Sequence, residues 1–148
     1  ERRFIASERP WGFILFRRNV ETPSQTVTLI RELRSALGEA NAPVLIDQEG
    51  GRVQRLQPPH WPAYPAGAVF GRLYDIDPAL GLTAAHLSAR LIADDLSKLG
   101  ISVDCLPLAD VPIAGADAVI GDRAYGNEVT KVATIARAVT TGLEQGGI

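Results

Sequence analysis

Val44-Leu45-Ile46-Asp47-Gln48-Glu49-Gly50-Gly51-Arg52-Val53-Gln54-Arg55 decides how this chain folds. Asn41-Ala42-Pro43 turns the backbone into a short run with no polar position. Such a run suits a strand covered on both faces, as strands of parallel sheets are. It delivers Asp47 and then the densest polar cluster in the chain. In parallel α/β proteins, ligands gather where the strands end. The paired glycines in the cluster let the backbone approach a ligand or a neighbouring segment closely.

Upstream, Gly12-Phe13-Ile14-Leu15-Phe16 is a second apolar run, closed by Arg17-Arg18-Asn19. Between the two strands, Val27, Ile30, Leu33, Ala36 and Leu37 fall three and four positions apart. That spacing predicts an amphipathic helix with Thr22 or Ser24 as its cap and Gly38 as its stop. Downstream, residues 57–71 carry Pro58, Pro59, Pro62 and Pro65 and read as a long irregular loop, ordered by Trp61, Tyr64 and Phe70. Asp77-Pro78 opens a helix running to about Leu99, with Leu80, Ala84, Leu87, Leu91 and Leu96 near one face and Gly100 as its stop. Residues 101–111 read as a third strand, 112–126 as a loop and 128–144 as a further helix.

Strand and helix alternate without hairpin signals, which predicts a parallel α/β architecture. Long loops follow the strands, and no Gly-rich phosphate fingerprint follows the first one. Both features favour part of a (β/α)8 barrel of the TIM type over an open dinucleotide-binding sheet. A whole barrel takes about 250 residues. The chain has 148, lacks methionine and closes on Gly146-Gly147-Ile148, where a new strand would begin. Residues 1–148 are therefore expected to be just over half of a single barrel.

With 46% hydrophobic and 22% charged residues, the composition is that of a globular domain. A net charge of -2 with no basic block argues against nucleic acid as a partner. No apolar run approaches the roughly 20 residues of a membrane helix, and the first residues carry no signal-peptide core, so no membrane partner and a cytoplasmic location are expected. Cys105 is the one cysteine, which excludes an intrachain disulfide and a cysteine-built metal site. Its apolar surroundings predict a buried structural residue. Oligomeric state is not legible.

Within the polar cluster, a carboxylate can accept from two adjacent hydroxyls while a guanidinium donates a fixed fork, a combination suited to a sugar. The same residues also suit an ordinary strand-to-helix turn, with Asp47 or Glu49 as a cap and the arginines in solvent.

Asp47-Gln48-Glu49-Gly50-Gly51-Arg52-Val53-Gln54-Arg55 resembles the signature of family 3 glycoside hydrolases, above all the bacterial β-N-acetylhexosaminidases. Gly12 to Asn19 resembles that family's preceding strand and its Arg-Asn turn; Asp104 to Val111 resembles its next strand, and Ile120-Gly121-Asp122-Arg123 its Ile-Gly-Asp/Glu-Arg loop. Ala124 stands where the family commonly has Ser.

The resemblance implies hydrolysis of terminal non-reducing β-linked N-acetylglucosamine from peptidoglycan-derived glycosides, with retention of configuration and no cofactor or metal. It implies that residues 1–148 are the N-terminal portion of a single catalytic barrel, with substrate-binding roles for Asp47, Arg55 and Arg123, and supporting roles for Glu49 and Arg52. Asp110 closes the third strand and reads mainly as structural, His60 as a possible aglycone contact and His86 as a helix-surface or packing residue. The family's Lys-His-x-Pro-Gly-His-Gly strand end, its His-Asp acid/base pair and its aspartate nucleophile have no counterpart here, so no catalytic residue is assigned and the chain alone is expected to be inactive. The alternatives are a family 3 β-glucosidase and a non-catalytic carbohydrate-binding relative.

Overall fold

The computed structural model describes residues 1–113, 115 and 118–148. After a short helix α1 (Arg2–Glu8), a parallel sheet forms from β1 (Phe13–Leu15), β2 (Val44–Ile46) and β5 (Val103–Asp104), with β2 in the middle. Leu15 pairs with Ile46, and Ile46 with Asp104. Side chains alternate along a strand, so Leu15, Val44, Ile46 and Asp104 share one face, and Ile14, Leu45 and Val103 the other. The first face is sealed, with Val44 and Ile46 fully buried, whereas Ile14 is 43% exposed.

The sealing layer consists of α2 (Pro23–Leu37) and α4 (Pro78–Leu99), whose Ile30, Ile92, Leu96 and Leu99 join Val44 and Ile46 in one core. Thr22 caps α2 by accepting from the Gln25 amide, and Asp77 caps α4 by accepting from the amides of Ala79 and Leu80. Both helices stop at a left-handed glycine, Gly38 and Gly100. An open doubly wound sheet carries helices on both faces; here Ile14 on the second face stays 43% exposed, as on the inner face of a barrel wall before the wall closes. The fold is the expected part of a (β/α)8-type barrel.

Four local expectations are corrected. The cluster after β2 is an antiparallel hairpin, β3 (Gln48–Gly50) and β4 (Val53–Gln54), where the sequence read as free of hairpin signals. The supposed loop 57–71 contains the start of α3 (Gly67–Ile76), although Trp61, Tyr64 and Phe70 are buried as expected of an ordered segment. The third strand pairs only over Val103–Asp104 and then leaves the ladder. Cys105 consequently lies at the sheet's mouth on the second face and is exposed, not buried.

The helix faces match the expected ones only in part: Ile30, Leu37 and Leu96 are buried as expected, and Leu33 and Ala84 pack against the core. Val27 of α2 is exposed, and Thr26, Ile30 and Leu37 face inward. In α4 the leucines Leu80, Leu87 and Leu91 point outward, while Gly81, Ala85, Ala89 and Ala93 are buried. The cause is α5 (Val129–Gln145), which runs so close to α4 that a Cβ on Gly142 would lie 2.6 Å from the His86 carbonyl and 2.8 Å from Ala89 Cβ. Only small residues permit that approach. Of the expected loop 112–126, residues 114, 116 and 117 lie outside the described residues.

Candidate functional site

Asp47 follows β2 directly, and the β3–β4 hairpin folds Arg55 back onto it. Arg55 Nη2 lies 2.6 Å from Asp47 Oδ2, with both side chains about three-quarters buried. The fold-back is held by Gln48, which is fully buried. Its Oε1 accepts from the backbone N–H groups of Arg55 and Leu56, both at 2.9 Å, and its Nε2 donates to the Leu56 carbonyl. Its own amide donates to Asp104 Oδ1 at 2.9 Å. A buried amide side chain whose oxygen and nitrogen are both hydrogen-bonded is a rigid brace, because each lost partner would leave an unmatched polar group.

Gln54 does the same for the following segment. It donates to the carbonyls of Leu56 and Pro62 and accepts from the Tyr64 amide. The hairpin then lies flat on residues 64–66. Gly50 has φ 95°, and a Cβ there would sit 2.2 Å from the Pro65 carbonyl oxygen, so both conformation and contact require glycine.

Glu49 points to a second arginine, 74 positions away. Arg123 Nε donates to Glu49 Oε2 at 2.8 Å and Nη2 to Oε1 at 2.7 Å. The side chains are 7% and 19% exposed respectively. This charge-assisted fork raises the Arg123 guanidinium above its ordinary pKa, and the Asp110 and Asp47 carboxylates add to the effect. Arg123 ends a 3-10 turn, Gly121–Arg123, whose backbone presses against α3: a Cβ on Gly67 would lie 2.1 Å from the Arg123 carbonyl oxygen. Arg52 anchors the turn from the other side, reaching Asp122 Oδ1 at 3.3 Å and the carbonyls of Val119 and Ile120.

Asp104 closes the cluster from β5. Burial, reinforced by the nearby Glu49 and Asp47 carboxylates and opposed by the Gln48 amide, pushes its carboxyl up to about 8. Beside it, Cys105 is exposed at its surface, but partial desolvation of the thiol against the mouth and a hydrogen bond to Asp47 push it up to about 11, which keeps it a neutral thiol. Burial likewise raises the Tyr125 phenol.

The three expected binding residues thus occupy one mouth. Asp47 and Arg55 form one pair there, and Arg123 stands in the other with Glu49. Glu49 and Arg52 support the loops as expected, but each with a distant partner and not with one another. Asp110 is exposed beyond the end of β5, near enough for its charge to act on Arg123. His60 is exposed and sits edge-on to Trp61. His86 packs between helices, with Nδ1 3.3 Å from the Ala138 carbonyl. The residues missed in the sequence are Gln48 and Asp104, whose roles follow from contacts between strands.

Chemically, the mouth presents two guanidinium groups fixed by carboxylates. The Glu49 fork uses two N–H groups of Arg123 and leaves its others for a ligand. Arg55 Nε is buried with no hydrogen-bond partner among the described residues. The N–H groups of Arg123 left over by the fork suit a ligand rich in hydroxyl or carbonyl oxygens. Among the described residues no group of three or more His, Cys, Asp or Glu is placed to hold a metal ion, and no helix is long and apolar enough to cross a membrane.

The glycosyl hydrolase family 3 N-terminal domain matches residues 1–148, and the chain is a member of that family. Among its relatives, the β-hexosaminidase of Thioalkalivibrio sulfidiphilus is 36% identical over 148 residues, which are all of this chain and 42% of the relative. NagZ from Neisseria gonorrhoeae, solved in complex with N-trifluoroacetyl-D-glucosamine, superposes with a TM-score of 0.92 at 34% identity, over all of this chain and 43% of NagZ. A family 3 β-N-acetylglucosaminidase from Paenibacillus superposes with a TM-score of 0.86 at 28% identity, over 99% of this chain and 27% of that enzyme. The chain thus spans less than half the length of these relatives.

Proposed function

We propose that this chain supplies the sugar-gripping wall of a β-N-acetylhexosaminidase, which releases terminal non-reducing β-linked N-acetylglucosamine from peptidoglycan-derived glycosides in the cytoplasm. Residues 1–148 are the N-terminal portion of one catalytic barrel, and the acid/base pair and nucleophile come from the remainder of the full-length protein. Asp47 accepts from ring hydroxyls, and Arg55 and Arg123 donate to ring oxygens. The observation that carries this reading is the convergence of the Asp47–Arg55 and Glu49–Arg123 pairs at the C-terminal mouth of β2.

In a retaining reaction a carboxylate attacks the anomeric carbon and a positioned acid protonates the leaving oxygen; water then hydrolyses the glycosyl-enzyme. Residues that grip the sugar away from the bond being broken contribute by orienting and distorting it. Fixed arginines serve well, since they need no reordering when the sugar arrives. The test is steady-state hydrolysis of 4-nitrophenyl N-acetyl-β-glucosaminide by the full-length protein, with the first-formed sugar followed by NMR. The β-anomer is expected first. Preference for the plain glucoside, or initial release of the α-anomer, would overturn the reading.

A further inference from the structure

Among the described residues, the carboxyl groups of Asp47, Glu49 and Asp104 meet at the mouth, and Arg55 and Arg123 pair with the first two. Asp104 is only 8% exposed and forms no ion pair among the described residues. Its Oδ1 accepts from the Gln48 amide, and its Oδ2 is buried with no hydrogen-bond partner among the described residues. A third negative charge in that position would be desolvated, unpaired and faced by two other carboxylates. A neutral acid avoids all three penalties.

The position is also mechanically central. Gln48 stands between Asp47 and Glu49 in sequence, and its side chain holds the backbone of Arg55. Whatever moves the Gln48 amide therefore moves one member of each ion pair directly. Its partner on the third strand is Asp104.

We propose that Asp104 is a positioning residue which, as a neutral acid, sets the spacing of the Asp47–Arg55 and Glu49–Arg123 pairs through the Gln48 amide, and that its ionisation disturbs both pairs together. Its use in sugar binding rests on the functional reading above; the structural coupling does not. The titratable groups that face Asp104 are Asp47 at the end of β2, Glu49 on β3, Cys105 just after β5 and Tyr125 ahead of α5. The Cys105 thiol and Tyr125 phenol are both raised and stay neutral where Asp104, at about 8, ionises.

The experiment follows the Gln48 amide and the Arg55 and Arg123 Nε–H groups by NMR, in full-length protein labelled selectively at Gln and Arg, across about pH 6 to 10. All three signals are expected to shift with one midpoint near 8 in wild type, and to stay flat in Asp104→Asn, which keeps the acceptor for the Gln48 amide but cannot ionise. A Gln48 signal without a midpoint in this range, a Gln48 shift that the arginines do not share, or the same titration in the variant would each overturn the proposal. The wild-type arm stands alone should the variant fail to fold.

Hydrolysis provides the second readout. From pH 7 to pH 9, wild-type kcat/KM is expected to fall about tenfold through this group, and Asp104→Asn to fall less by that factor. Equal falls would overturn the positioning role in catalysis. A protein with no hydrolytic activity whose three NMR signals titrate together would instead retain the coupling and refute the functional reading.

Discussion

Glu49 and Arg123 lie 74 positions apart in the chain and meet in a two-pronged ion pair at 2.7 and 2.8 Å, with Glu49 almost fully enclosed. The pair joins the hairpin after β2 to the turn before α5. Breaking an enclosed pair by removing one partner leaves a desolvated charge behind, which costs far more than losing an exposed ion pair.

Glu49→Gln keeps the size of the side chain and forfeits the charge and one prong of the fork. In the full-length protein, kcat/KM for an N-acetylglucosaminide is expected to drop roughly ten- to a hundredfold, corresponding to about 1.5–3 kcal/mol for hydrogen bonds to a charged group. Steady-state kinetics decides it. Wild-type values would mean that Arg123 holds its place without Glu49.

Arg123→Lys is expected to impair hydrolysis nearly as much as Arg123→Ala. A lysine keeps the charge but cannot make both the Nε and Nη2 contacts in one plane. Kinetics of the two variants side by side make the comparison. Normal kinetics with lysine would reduce the role of Arg123 to simple charge.

The strand that presents Asp47 was legible because Val44-Leu45-Ile46 is unbroken by polar residues and is followed at once by acids. Thr22, Gly38, Asp77 and Gly100 were legible because capping is local chemistry. Two kinds of feature were not. Partners far apart in sequence, such as Glu49 with Arg123 and Gln48 with Asp104, have no periodicity to reveal them. The buried face of α4 was misjudged in part because hydrophobicity favours its leucines, whereas the close approach of Gly142 selects Ala85 and Ala89 for the interior. Cys105 was misplaced for a related reason: an apolar run does not say which face of a sheet has a helix over it.

Asp104 is expected to make stability fall with rising pH. Its carboxyl is raised from the ordinary 3.8 to about 8 in the folded protein. Between those values the native state keeps a proton that the unfolded chain has lost, so the native state is favoured most below the lower value and loses that advantage progressively up to the higher one. In melting curves from about pH 5 to 9, the wild type is expected to lose stability relative to Asp104→Asn until about pH 8 and then level off. A constant difference across the range would show that Asp104 is ionised throughout.

Residues 1–148 produced alone are expected to be inactive and poorly stable as a monomer. Both outer strands of the sheet, β1 and β5, pair on one side only, and Ile14 sits exposed on the second face. Unpaired strand edges and an uncovered apolar face favour association or incomplete folding. Thermal melting with light scattering, together with an aryl N-acetylglucosaminide assay, tests both halves. A sharp monomeric melt would contradict the structural half, and turnover above blank the catalytic half.

The most direct measurement of the central claim, that the end of β2 holds the sugar, is Asp47→Ala in the full-length protein. Hydrolysis of 4-nitrophenyl N-acetyl-β-glucosaminide should be measured in parallel with thermal melting. Loss of an acceptor for ring hydroxyls is expected to lower kcat/KM at least about tenfold while the cooperative melt is retained. Unchanged kinetics together with a lowered melting temperature would make Asp47 a structural anchor for Arg55 and would contradict the claim.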